Sequence, residues 1–186
     1  MIRKDMRFSE EVFRGMVGKQ FDQYKCDPFD YTDTVTQIVA VCVDGSYYAM
    51  KNIQQPVDYF GTEEDIAVCT FEPIEENEIH SAFEDTQQII TPVGEMIRSI
   101  SLINENQRIS KAGEAIYDIW LTRAVIFHFD EHEILFEKEN VPFSEEIRIL
   151  KGYGLIDKIS SSDAFVDGWD ADVQAECRRE VVTIKD

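Results

Sequence analysis

No apolar run in this chain approaches the roughly 18 residues that span a bilayer as a helix, so no membrane-spanning segment is expected. The start, MIRKDMRFSEEVF, is basic but lacks the apolar core of a secretory signal, and no leader is expected there. Neither GxGxxG nor GxxxxGK[ST] occurs, so no glycine-rich phosphate loop is present. A GxSxG nucleophile elbow is missing too. Four cysteines, Cys26, Cys42, Cys69 and Cys177, are widely spaced without a CxxC pair. That pattern, with no signal peptide, points to reduced thiols and a cytoplasmic location rather than a disulfide framework or a structural zinc site.

Positive charge is the scarcest commodity. Lys and Arg number 18 against 37 Asp and Glu, a formal charge of −19. Binding to a phosphate backbone rests on basic contacts, so direct nucleic-acid binding is disfavoured, and an anionic membrane surface is disfavoured for the same reason. The GMVG at 15–18 has the form of a backbone-clamping RNA loop, but the overall charge opposes it. From Asn52 to Ile97 there is no Lys or Arg and there are eleven acids, among them Asp58, Glu63, Glu64, Asp65, Glu72, Glu75 and Glu76. A second base-free stretch, 159–177, carries Asp163, Asp167, Asp170, Asp172 and Glu176 around Trp169.

What is present is core material: 44% of residues are hydrophobic and 11% aromatic, enough for a single folded domain over 1–186. After a plausible N-cap at Ser9, Val12, Phe13, Met16, Val17, Phe21 and Tyr24 recur at three- and four-residue spacing, which predicts an N-terminal helical segment within 1–28. Gly15 and Gly18 each weaken that helix by about 1 kcal/mol relative to Ala. The period then becomes two. TVTQIVAVCV, Asp44–Gly45 and SYYAM read as a hairpin closed by a two-residue turn.

Thr36–Asp44 and Thr122–Asp130 match in apolar pattern at an offset of 86 residues, which also carries Pro56 onto Pro142. Each proline is followed by an acidic step and an apolar segment, EEDIAVCTF at 63–71 and EEIRIL at 145–150. We read this as a duplicated unit of hairpin, proline-bearing connection and strand, over 33–74 and 119–152. The remainder, 159–186, reads as an acidic turn-rich segment and a final strand. The expected fold is α+β, mainly antiparallel, with an N-terminal helix and the two β units forming a small barrel or packed sheets.

Chemistry-bearing candidates are few. With a turn at Asp130–Glu131, His128 lies opposite Glu133, a pair able to serve acid/base chemistry. His132 and Asp130 lie close in sequence, but no HxxxH or CxxC spacing supports zinc. An EF-hand loop with Gly168 at its sixth position would place Phe165 third and Gln174 twelfth, both wrong for oxygen ligation. A looser cation site at Asp167, Asp170 and Asp172 is left as the metal candidate, and no cofactor is expected. The leading expectation is a non-enzymatic protein whose acids (Asp58, Glu63, Glu64, Asp65, Glu72, Glu75, Glu76), with Trp169, bind a basic protein partner, in its narrowest form as a nucleic-acid mimic. Two rivals stand beside it: an enzyme or metal protein centred on His128 and Glu133, and a self-assembling module that pairs strand edges into a homo-oligomer.

Overall fold

Runs of β-branched and aromatic residues, broken by short turns, make strands the dominant element. The computed structural model describes every residue except 30, 31, 60 and 168. In chain order it holds β1 (Ile2–Met6), a helical turn α1 (Glu10–Arg14), β2 (Gln20–Cys26), β3 (Thr34–Thr36), β4 (Ile38–Val43), β5 (Ser46–Tyr59) and β6 (Thr62–Pro73). There follow β7 (Ile89–Met96), β8 (Ser99–Lys111), β9 (Glu114–His128), β10 (Glu133–Lys138), β11 (Glu146–Gly152), a second helical turn α2 (Asp163–Val166) and β12 (Val173–Ile184). No helix among the described residues is long and apolar enough to cross a membrane.

The strands form two sheets. The larger runs β12-β8-β9-β10-β11-β3, with β1 added parallel to the first half of β9, and the smaller runs β6-β5-β4-β2-β7. All other pairings are antiparallel. Between the sheets lies the main core. Phe13 and Phe71 approach to 4.5 Å between ring centres, and Phe21 meets Phe127 edge-on at 5.0 Å. Phe13, Phe21, Phe127 and Phe136 are wholly buried, each contributing about 1.5–3 kcal/mol by removal from water.

Neither sheet closes into a barrel; each ends in free edges, so the arrangement is two packed open sheets. The edges are unattractive for pairing. β12 carries Glu176, Arg178, Arg179 and Glu180, and β7 contains Pro92 and Gly94, devices that discourage strand addition.

The expected helix over 9–24 is corrected to the five residues of α1, followed by strand β2. The cause is a β-bulge. The pairing of β2 with both β4 and β7 shifts register between Phe21 and Gln23, and the inserted residue turns Phe21 and Tyr24, three apart, into the same core. A bulged strand thereby imitates helical spacing, while Gly18 at φ 77° ends the turn that starts at Ser9.

The Asp44–Gly45 hairpin is as expected: Val43 pairs Ser46, and both turn residues have positive φ, 46° and 74°, as a two-residue turn of this hand requires. Both proposed units are three-stranded antiparallel meanders, β4-β5-β6 and β9-β10-β11. Pro142 lies in the connection before β11, whereas Pro56 sits inside β5 opposite Asp65. Beyond Lys51, β5 pairs only with β6, so its other side is an edge where a missing N–H costs no ladder bond.

The outer face of the larger sheet is covered by residues 153–167, tied down by charge. Glu133 Oε2 accepts from Leu155 N (2.8 Å) and Glu137 Oε1 from Ser160 N (2.9 Å). Arg148 donates to the Lys158 carbonyl at 2.5 Å and Arg179 to that of Ser160. This strap brings Phe165 and Trp169 over Tyr117 and Ile119 of β9.

Candidate functional site

Hairpin β5–β6 is longer than its neighbours, and its distal half reaches beyond the smaller sheet. Register places Asp58 directly opposite Glu63 and Asp65 two residues on, all on one face, with Glu64 and Tyr59 on the other. These four acids are exposed, and among the described residues none has a cation within 4 Å. Like charges directly opposed in a ladder destabilise it.

Tyr59 turns the tip back onto the body. Its ring meets Tyr117 edge-on at 6.3 Å and Phe143 at 5.9 Å. Tyr59 is pushed up to about 12 by burial, and Tyr117 higher still, by burial first and then by the negative field of Tyr59 and Asp58. Beside it opens a groove of about 320 Å³ whose walls include Tyr59, Phe143, Phe165 and Trp169, with Asn140 and Asp167 as polar groups. Trp169 is half-buried; its Nε1 donates to the Phe165 carbonyl at 2.5 Å, and its ring stands edge-on to Phe165 at 5.9 Å. The lip exposes Val141 and Phe143, each 47% accessible. Of the tip acids only Glu64 shares the face of Tyr59, and the acid on the groove wall itself is Asp167. Aromatic walls with a carboxylate among them suit a cationic side chain, which stacks on the rings.

Other expected acids lie elsewhere. Glu72, Glu75 and Glu76 sit at the opposite end of β6, nine residues from Glu63 and so roughly 30 Å away. Glu75 caps a single 3-10 turn, and Glu76 is held by the Lys25 ammonium at 2.5 Å, which keeps its carboxyl below the usual range. Asp172 pairs with Lys111 at 2.9 Å, the Asp170 carbonyl accepts from Val173 N, and Asp167 lines the groove. Among the described residues no three His, Cys, Asp or Glu side chains are grouped to hold a metal ion. The EF-hand alignment turned on Gly168, which lies outside the described residues.

His128 lies opposite Glu133 in the register read from the turn, with Nδ1 3.0 Å from Glu133 Oε1. Its Nε2 is 2.8 Å from Ser101 Oγ on β8, a partner that sequence spacing did not suggest. Serine, imidazole and carboxylate therefore form one hydrogen-bonded chain across three strands. Ser101 is only 5% exposed, and Glu133 also accepts from the backbone of the strap. Asp130 pairs with Arg98 at 2.7 Å and His132 faces Glu95 at 3.4 Å, each engaged apart from His128.

Sequence reasoning missed a second feature beneath the groove. A cavity of about 50 Å³ shares Tyr59, Asn140 and Pro142 with it and reaches inward to Arg123 and Lys138. Arg123 is the extra residue of a bulge in β9, since Ala124 pairs Ile103 while Thr122 pairs Asn104. Lys138 ends β10 and is 6% exposed, and burial pushes its ammonium down to about 8. The four thiols are unbonded; Cys69, against this cavity, is buried, and that burial pushes its thiol up to about 12.

Fold and site thus define a two-sheet, mainly antiparallel β protein with an aromatic groove beside an acidic hairpin tip. No family model, no curated protein and no solved structure matches the chain.

Proposed function

We propose that this is a non-enzymatic interaction protein that captures a basic segment of a protein partner in the groove walled by Tyr59, Phe143, Phe165 and Trp169. The acids of the hairpin tip (Asp58, Glu63, Glu64 and Asp65) draw the partner in. The observation that carries this reading is an open aromatic groove with Asp167 on its wall, next to a hairpin tip whose four exposed acids have no cation within 4 Å among the described residues, in a strongly acidic molecule. Electrostatic complementarity of this kind sets encounter rate and partner choice, while the aromatic walls supply contact area. The narrower form, mimicry of a nucleic acid, needs the acids at both ends of β6 to act as one ridge. Their separation favours a short basic segment over an extended cationic track.

Fluorescence anisotropy with a labelled peptide of alternating Arg and aromatic residues tests the proposal. Affinity is expected to fall at least tenfold between 50 and 500 mM NaCl as screening shortens the reach of the tip charges, on the order of the Debye-length change from about 14 to 4 Å. It is expected to fall again in Trp169→Ala. Affinity indifferent to salt sinks the electrostatic reading.

A second reading, acid/base or acyl-transfer chemistry at His128 and Glu133, has one observation in its favour, the 2.8 Å contact of His128 with Ser101. A fluorophosphonate probe that labels Ser101, and fails to do so in His128→Ala, supports it; an unlabelled wild-type protein removes it.

A further inference from the structure

The cavity beneath the groove sits at one end of the space between the sheets, bounded by Cys69 of β6, Tyr117 and Arg123 of β9, and Lys138 of β10. Its chemistry is the reverse of the surface. Arg123 is 2% exposed; its Nη1 donates to the carbonyls of Lys138 (3.1 Å) and Glu139 (2.8 Å), and its Nε finds no hydrogen-bond partner. The Lys138 ammonium has three protons and, among the described residues, one protein acceptor, the Glu139 carbonyl at 3.2 Å. The buried carboxylate nearby, Glu105, is bound through Oε1 by Arg179 at 2.8 Å and lies 3.4 Å from Arg123 Nε. Arg179 reaches in from the exposed surface, so the buried cations are Arg123 and Lys138, and they face the buried carboxylate of Glu105 and the half-buried Glu139. Two of the three Lys138 protons are left without a protein acceptor among the described residues, and unmade hydrogen bonds of a buried charged group are strongly unfavourable.

We infer that this cavity is a binding site for a small monocarboxylate, its two oxygens shared between Lys138 Nζ and Arg123 and its short apolar end against Met6, Ile66 and Leu121. Three properties select that ligand. A single ammonium with two open donors, set among charges already balanced, calls for a ligand of no more than one negative charge. A planar pair of oxygens matches a guanidinium beside an ammonium. A volume of about 50 Å³ has room for about four water-sized groups, since one water needs about 10–15 Å³ on the same measure. Acetate has four heavy atoms; a phosphate ester or a dicarboxylate is too large and carries too much charge. The inference is independent of the groove's partner, because it rests on the buried cations and not on the hairpin tip.

The probe is sodium acetate, added to the whole protein in a carboxylate-free buffer, with sodium chloride at equal ionic strength as control. Carbon-13-labelled acetate followed by NMR is expected to show saturable binding, and thermal melting is expected to shift upward with acetate beyond the chloride control. Lys138→Met is expected to weaken acetate at least tenfold. A wild-type titration against pH needs no variant. Lys138 faces Cys69 from β6, Arg123 from β9, Glu105 from β8 and Glu139 beside it, with Tyr59 and Tyr117 on the same cavity. Of these, Lys138 is the one that loses positive charge between pH 8 and 10, so acetate binding is expected to fade across that interval. Acetate that behaves as chloride does, binding unchanged in Lys138→Met, or binding constant from pH 7 to 10 overturns the inference.

Discussion

Replacing Lys138 by Met tests the energetics of the inner cavity directly. Burial pulls the Lys138 ammonium from 10.5 down to about 8. Each tenfold change in proton affinity is worth about 1.4 kcal/mol, so keeping this group charged destabilises the fold by about 3 kcal/mol at neutral pH. Methionine fills nearly the same volume without the charge, and such replacements are often stabilising by about 1–4 kcal/mol. Urea unfolding in carboxylate-free buffer at pH 6.5 is therefore expected to show Lys138→Met more stable by about 1–3 kcal/mol. The pH dependence has a definite sign. The unfolded chain holds the lysine proton up to about 10.4, whereas the folded protein releases it near 8. Between those values the unfolded state binds more protons, and wild-type stability gains with rising pH relative to the variant. The gap is thus full below pH 8 and closes towards pH 10.5. A variant less stable than wild type at pH 6.5, or a gap that does not change with pH, refutes the reasoning.

Glu137 is 1% exposed and holds both Arg148, at 2.5 Å, and the strap through Ser160 N. Glu137→Ala is expected to lose about 3–5 kcal/mol in urea unfolding by stranding the Arg148 charge, with limited proteolysis newly cutting within 153–167. The Cys69 thiol, pushed up to about 12 by burial, stabilises the fold fully below the ordinary thiol range near 9; that stability is lost as pH rises from there towards 12. At pH 11 the loss from Cys69 alone is roughly 3 kcal/mol, and Cys69→Ala is expected to flatten the alkaline slope measured by circular dichroism. Glu63→Lys removes the repulsion with Asp58 and is expected to stabilise the protein by a few tenths to about 1 kcal/mol, while weakening the basic peptide severalfold in the anisotropy assay. A loss of both properties together contradicts the assignment of the tip to binding.

The parts of this fold that sequence exposes are those decided locally. The hairpin at Asp44–Gly45 and the facing of His128 with Glu133 follow from period-two patterning and turn chemistry, and both are present. β2 was hidden because its bulge gives Phe21 and Tyr24 a helix-like separation. For β8, MIRSISLINENQRIS reads as a strand running into a polar turn, whereas the strand continues to Lys111, with Asn104 and Glu105 4% and 0% exposed. Buried polar groups with distant partners, here Thr122 for Asn104 and Arg179 for Glu105, look like surface residues in a linear string. The same applies to the site. The acids of 58–65 stand out by composition, but the contact of Tyr59 with Phe143 joins segments 84 residues apart. Arg123 and Lys138 carry no local signature that distinguishes a buried cation from an exposed one.

Scarcity of positive charge and its placement are connected. Arg123, Arg148, Arg179 and Lys138 all lie in the larger sheet, where they hold Glu105, Glu137 and the strap, and among the described residues no cation lies within 4 Å of the tip acids. The groove thus carries Asp167 and adjoins the acidic hairpin tip, while Arg123 and Lys138 line the cavity beneath it, with Tyr59, Asn140 and Pro142 bordering both spaces. Two ligands of opposite charge drawn to adjoining sites attract one another through protein of low effective dielectric. Acetate in the cavity neutralises the positive charge under Tyr59 and so makes the groove more favourable for a basic peptide. Linkage then requires the peptide to tighten acetate by the same factor. Peptide affinity measured with saturating acetate and with matched chloride is expected to differ severalfold in favour of acetate. Equal affinities in the two salts would mean that the sites do not communicate, leaving each proposal to stand on its own test.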